Sequence, residues 1–224
     1  MRWIRGIGRL LLAGVGVVAL VGNFQYVLGF ASFVTSNFMS YFTVQSAIAG
    51  VMMFVLGAIA AFRGAAPRWF GAVRALVTSY MIVSGIVFAA MVIQASTLDY
   101  TIAVPWSDQL LHFWIPGFAV IDWLLDPGTV RPSGKLLGLA LVYPSLWGVF
   151  TLIRGSMVGW YPYFFLDRNQ VSLAESIAYC ALCLAIVTGI VALLTMTSHF
   201  TMTSHLRRRR VGGFAVRRSR RRRR

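Results

Sequence analysis

A chain of 224 residues that is 58% hydrophobic and only 12% charged, with mean hydropathy +0.73, carries more apolar surface than a water-soluble domain of this size can bury. That excludes a soluble enzyme or binding module and makes lipid the expected solvent. The formal charge of +15 is lopsided as well, because eleven of the 21 basic residues are arginines at or beyond position 207.

Six stretches reach the ~20 largely apolar residues that a helical span needs. They lie near 7–28, 40–62, 72–95, 107–126, 136–153 and 174–198. Backbone polar groups in hydrocarbon must be satisfied within each segment, which selects helices. The expected fold is therefore all-α, a polytopic membrane bundle of six transmembrane helices over 1–198. A disordered arginine-rich tail over 199–224 follows, since a dense charge block cannot build a core.

The basic residues orient this bundle. Arg2, Arg5 and Arg9 precede or open the first span, Arg63, Arg68 and Arg74 flank the connection from second to third, and Arg131 and Lys135 lie between fourth and fifth. Only Arg154 and Arg168 fall in the alternate connections. The positive-inside rule then predicts both termini in the cytoplasm. The first stretch is longer than a usual signal h-region and no small-x-small site follows it, so it reads as a retained helix. The preference for Arg over Lys points to a GC-rich genome, hence to a bacterial plasma membrane.

In chain order, the first polar side chains at depth are Asn23 and Gln25, near the far end of the first span. The second span opens YFTVQSAIAG (41–50), with Thr43, Gln45 and Ser46 in its first turns. The fourth, DQLLHFWIPGFAVIDWLLD (108–126), holds Asp108, His112, Asp122 and Asp126. Ionisable groups at membrane depth are costly and are candidates for function. Asp108 and His112 are four apart and share a face, so the carboxylate could orient the imidazole. Pro116 lacks the amide that would bond the carbonyl of residue 112, which predicts a locally open helix at the histidine. Thr43 and His112 each lie four or five residues inside their spans, roughly 6–8 Å below the outer boundary at 1.5 Å per residue. The loop YPYFFLD (161–167) is placed to cover that level with aromatic side chains.

A threonine hydroxyl needs an adjacent base to act as a nucleophile. His112 is the one histidine inside the bundle and is suited to that task near neutral pH. His199 and His205 belong to the tandem hexamers TMTSHF and TMTSHL and receive no role. From the residues alone, alternatives stay open. The pair can be hydrolytic, the polar groups can line a transport path that Asp122 continues inward, or they can simply cross-link helices. Cys180 and Cys183 share a helical face without further ligands and read as packing. The sole lysine, Lys135, lies in a loop, which excludes an intramembrane Schiff base. The arginine tail fits anionic lipid headgroups, at ~1 kcal/mol per basic residue near the surface, and no nucleic-acid module accompanies it.

Four stretches, YFTVQS (41–46), DQLLHFWIPGFAVIDWLL (108–125), LVYPSLW (141–147) and YPYFFLD (161–167), together resemble one family. They are similar to bacterial six-span membrane proteins related to the androgen-induced protein and the androgen-dependent regulator of tissue factor pathway inhibitor of animals. The resemblance covers roughly residues 7–195. It implies that Thr43 and His112 match an intramembrane threonine and histidine that, in the animal proteins, hydrolyse fatty acid esters of hydroxy fatty acids. The YPYFFLD stretch follows the bacterial pattern, so the animal substrate does not carry over with the pair. Asp108, Asn23, Gln45, Ser46 and Tyr163 are supporting candidates, the first beside the histidine, Asn23, Gln45 and Tyr163 for an oxyanion and Ser46 as a substitute nucleophile. The expected partners are membrane lipids and a lipid ester substrate, with no metal or organic cofactor.

Overall fold

The computed structural model of the chain describes residues 2–31, 33–97, 101–126 and 130–221, with side chains through Ser198. Every regular element among the described residues is helical: α1 (Arg2–Leu28), α2 (Thr35–Ser40), α3 (Phe42–Arg63), α4 (Phe70–Thr97), α5 (Trp106–Gln109), α6 (Ile115–Leu125), α7 (Gly134–Val158) and α8 (Leu173–Arg221). A π turn (Leu110–Trp114) joins α5 to α6, and a 3₁₀ turn (Phe164–Leu166) lies between α7 and α8. The backbone of α8 continues to Arg221. The side chains from 199 onward, and with them the tail's expected contacts with anionic lipid, lie outside the described residues.

Five helices, α1, α3, α4, α7 and α8, are long and apolar enough to cross a membrane. The segment expected as a fourth span of six is helical from Trp106 to Leu125 but not uniform. Pro116 cannot donate to the carbonyl of His112, and the backbone answers by widening: the Ile115 N–H bonds the carbonyl of Leu110, five residues back. The expected opening at the histidine is this π turn.

Packing ranks the helices. Half of the most apolar window of α3 is buried and 44% of that of α4, against 28% for α1 and 17% for α7 and α8. The pair α3–α4 therefore forms the centre. Outer helices turn Leu11, Leu146 and Met157 outward, apolar side chains that only lipid would solvate well. Helix α1 buries a stripe of small residues, Gly6, Ala13, Gly16, Ala19 and Gly22, which allows close approach of its neighbours: Gly6 lies against Phe62 and Gly16 against Val51 of α3, and Gly22 against Trp106. One apolar cluster links α1, α3, α4 and the 106–125 segment; another links α3, α4, α7 and α8.

A second proline shows how the bundle satisfies backbone that it disrupts. Pro144, in the middle of α7, frees the carbonyl of Ala140, and the Tyr80 hydroxyl of α4 donates to it at 3.2 Å. Neighbouring residues of the LVYPSLW stretch fasten α7 to the α2–α3 junction. The Tyr143 hydroxyl donates to Gln45 Oε1 (2.7 Å) and the Trp147 indole N–H to the Ser40 carbonyl (3.0 Å). Further along, Asp167 accepts from the Asn169 backbone N–H and the Gln170 amide, which hold its carboxyl below the ordinary range and pin the end of the YPYFFLD loop.

Candidate active site

Thr43 is the second residue of α3, and His112 sits in the π turn. Their side chains meet: Thr43 Oγ1 lies 3.2 Å from His112 Nε2. Each residue is only 8% exposed. The other ring nitrogen, Nδ1, lies 3.0 Å from the backbone carbonyl of Asp108. A carbonyl oxygen can only accept, so in the neutral imidazole Nδ1 carries the proton. The Nε2 lone pair is then left facing the threonine hydroxyl. That is the tautomer a general base requires.

Two further contacts hold His112 in place, one on its ring and one on its backbone. Phe88 of α4 stacks on it at 3.9 Å between centroids, with planes 12° apart. Gly85, one turn earlier, lies against the carbonyl of His112, and a Cβ there would strike that oxygen. The carbonyl freed by Pro116 thus packs against a residue that leaves no room for a side chain.

Two more hydroxyls converge on Thr43. Ser84 Oγ is 2.6 Å from Thr43 Oγ1, and Tyr163 OH is 3.5 Å away. With Thr43 donating to His112, Ser84 donates to Thr43, so the chain of protons runs Ser84 to Thr43 to His112 Nε2. Ser84 has no counterpart among the sequence-derived candidates. Its only signal is a serine that precedes a glycine in the middle of an apolar span, and such hydroxyls more often bond their own helix, as Ser79 does to Leu76.

The supporting candidates separate. Tyr163 lies at the pair. Asp108 takes part through its backbone carbonyl; its carboxylate is 4.0 Å from Nδ1 and accepts instead from the Asn23 amide of α1. Asn23 therefore holds Asp108 beside the cavity. Gln45 is engaged elsewhere, donating to the Met39 carbonyl and accepting from Tyr143. Ser46 Oγ donates to the Thr43 carbonyl at 3.0 Å, which directs it along its own helix.

Two cavities meet at this point. One, of about 230 Å³, holds Thr43, His112, Asp108, Asn23, Phe88 and Tyr163. The other, of about 280 Å³, is apolar and lies between α3, α4, α7 and α8, against Phe42, Val87, Trp147 and Leu184. Ser84 and Tyr163 line both. Cys180 and Cys183 line the apolar one and are not bonded to each other. Among the described residues no group of His, Cys, Asp and Glu could hold a metal.

Asp122, the residue that would continue a transport path, is ion-paired on both oxygens: Arg9 Nε is 2.8 Å from Oδ1 and Arg74 Nη2 is 2.8 Å from Oδ2. It belongs to a separate cluster at the far end of the bundle.

Family models, curated proteins and solved structures were compared with the chain, and none matches it.

Proposed function

We propose that the protein is a membrane-embedded hydrolase of lipid carboxylic esters, with Thr43 as nucleophile and His112 as general base. The observation that carries the reading is the 3.2 Å contact of Thr43 Oγ1 with an imidazole nitrogen whose partner nitrogen is committed to a carbonyl. The likeness of the four sequence stretches to the six-span hydrolase-related family points the same way. In this reading the 106–125 segment also spans, fourth in chain order, and brings the five long helices to six, since twenty helical residues reach ~30 Å. Both termini then face the cytoplasm of a bacterial plasma membrane, and the Thr43 end lies under the outer leaflet.

The steps follow from the geometry. Thr43 Oγ1 attacks the ester carbonyl carbon as its proton passes to His112 Nε2. The tetrahedral oxyanion takes hydrogen bonds from the Ser84 and Tyr163 hydroxyls, the donors nearest the nucleophile. The bond to the alcohol oxygen breaks as His112 returns the proton to it. Water enters from the polar cavity, gives a proton to the same nitrogen and attacks the acyl-threonine carbonyl. The fatty acid leaves as Thr43 recovers its proton. The apolar cavity behind Ser84 and Tyr163 takes the acyl chain, which places the reacting carbonyl between the two cavities.

Replacing Thr43 with Ala is expected to lower hydrolysis of a fatty acyl ester in detergent or nanodiscs by at least about a thousandfold. The same change abolishes labelling by a fluorophosphonate probe while folded protein is retained. Undiminished labelling of Thr43→Ala ends the proposal.

A further inference from the structure

The opposite end of the bundle holds a second cavity-bound cluster, which the hydrolase reading does not use. A cavity of about 450 Å³ is lined by Arg2, Arg5, Arg9, Arg68 and Arg74, together with Asp126 and the Gly64–Pro67 turn. Arg9 and Arg74 are each 4% exposed. Their counterions are already saturated. Asp122 gives one oxygen to Arg9 and the other to Arg74, while Asp126 gives one to Arg9 (2.9 Å) and one to Arg5 (3.2 Å). Arg74 also donates to the Asp126 carbonyl at 2.7 Å.

Five guanidiniums against two carboxylates leave three positive charges uncompensated within one concavity. Arg2 and Arg68 are exposed at its mouth and have no carboxylate within ion-pair distance among the described residues. Phe70 and Gly71, which begin α4, lie on the wall, so the positive end of that helix adds to the field. A cleft with such an excess of one sign of charge and apolar walls focuses its potential. Guanidiniums bind phosphate oxygens in a fork geometry. A solvated basic face, which only sets orientation, would spread its arginines over a convex surface and bury none of them.

We infer that this cavity is a binding site for one phosphate group, with Arg2, Arg68 and Arg5 as the ligating cations and the Arg9–Asp122–Arg74 network as their rigid support. Two sources carry that chemistry, the phosphodiester of an anionic phospholipid and a free phosphate. Basic cavities between helix ends at a membrane surface are suited to the first.

The test uses the full chain, with all eleven tail arginines, beside a variant carrying Arg2→Gln and Arg68→Gln. Both are purified from nanodiscs of nine parts phosphatidylcholine to one part phosphatidylglycerol, and the retained lipid is counted by native mass spectrometry. A parallel arm measures the shift of the thermal midpoint by inorganic phosphate in pure phosphatidylcholine nanodiscs. Retention of one phosphatidylglycerol that the variant loses at least tenfold supports the site with lipid as the source. No selective lipid retention, but a phosphate-induced stabilisation that the variant lacks, supports it with free phosphate as the source. The charge-keeping pair Arg2→Lys and Arg68→Lys is expected to keep most of either signal. If wild type and variant behave alike in both arms, the inference fails.

Discussion

The same two segments of chain, α1 and the 106–126 stretch, carry a polar cluster at each end, and the two clusters are built on opposite rules. Asn23 and Asp108 mark one end and Arg9 and Asp122 the other, fourteen residues away along each segment, ~21 Å of helix. At the arginine end every carboxylate oxygen of Asp122 and Asp126 meets a guanidinium. At the threonine end the imidazole keeps one nitrogen for a hydroxyl, and the hydroxyls of Thr43, Ser84 and Tyr163 line a cavity. Buried polarity that is saturated holds helices together. Buried polarity that is left with a lone pair beside open space can do chemistry.

The largest effect expected on that contrast comes from breaking the saturated cluster. Asp122→Asn removes the charge shared by two buried arginines, and stranded buried charge costs about 3–5 kcal/mol. Denaturant or thermal unfolding in a fixed detergent should show that loss, while fluorophosphonate labelling per folded molecule stays at the wild-type level. Lost labelling at unchanged stability would instead tie Asp122 to the chemistry and revive a relay along the fourth segment.

A smaller effect, but a more local one, is expected at Gly85. Adding a methyl group there forces the His112 carbonyl away from α4. Over-packing of this kind costs about 1–3 kcal/mol. Because the displaced residue is the proposed base, Gly85→Ala is expected to lower kcat on the order of tenfold to a hundredfold beyond any loss of folded protein. An unchanged rate would mean that the π turn moves without carrying the ring from Thr43.

How far the site was legible follows from the same contrast. His112 stands out in the sequence as the one histidine inside the bundle, Thr43 as one of the polar residues that open the second span, and counting residues from the span starts put them at one depth. The 3.2 Å contact puts the two side chains at one level of the bundle. Pro116 likewise announced an opening at the histidine, since the missing N–H belongs to one carbonyl only. What the sequence could not show was the choice among equivalent partners. Asp108 offers a carboxylate and a carbonyl at the same spacing, and a side-chain pattern cannot tell which one the ring takes. Ser84 is one of several hydroxyls in α4, and only tertiary packing turns it toward Thr43 rather than back on its own helix as at Ser79. Asp122 read as the inward continuation of a transport path until Arg9 and Arg74 were placed around it. The fourth span differed for a related reason: hydropathy sees a continuous run, whereas the proline splits the hydrogen-bond register within it.

Tyr163 tests the finest distinction, between a group that works and one that only walls the cavity. Its hydroxyl is 3.5 Å from Thr43 Oγ1, longer than a good hydrogen bond to the resting nucleophile. A donor meant for an oxyanion should look like this, since its partner appears only when the ester carbonyl becomes tetrahedral. The ring is independently fixed, stacked on Phe165 at 5.4 Å and edge-on to Trp147 and Tyr41, so removing the hydroxyl leaves its position intact. Tyr163→Phe is therefore expected to lower kcat on the order of tenfold, below the hundredfold or more of a well-placed oxyanion donor because Ser84 remains. KM and the unfolding midpoint should change little. A rise in KM at constant kcat would assign the hydroxyl to substrate binding alone, and the oxyanion would then rest on Ser84.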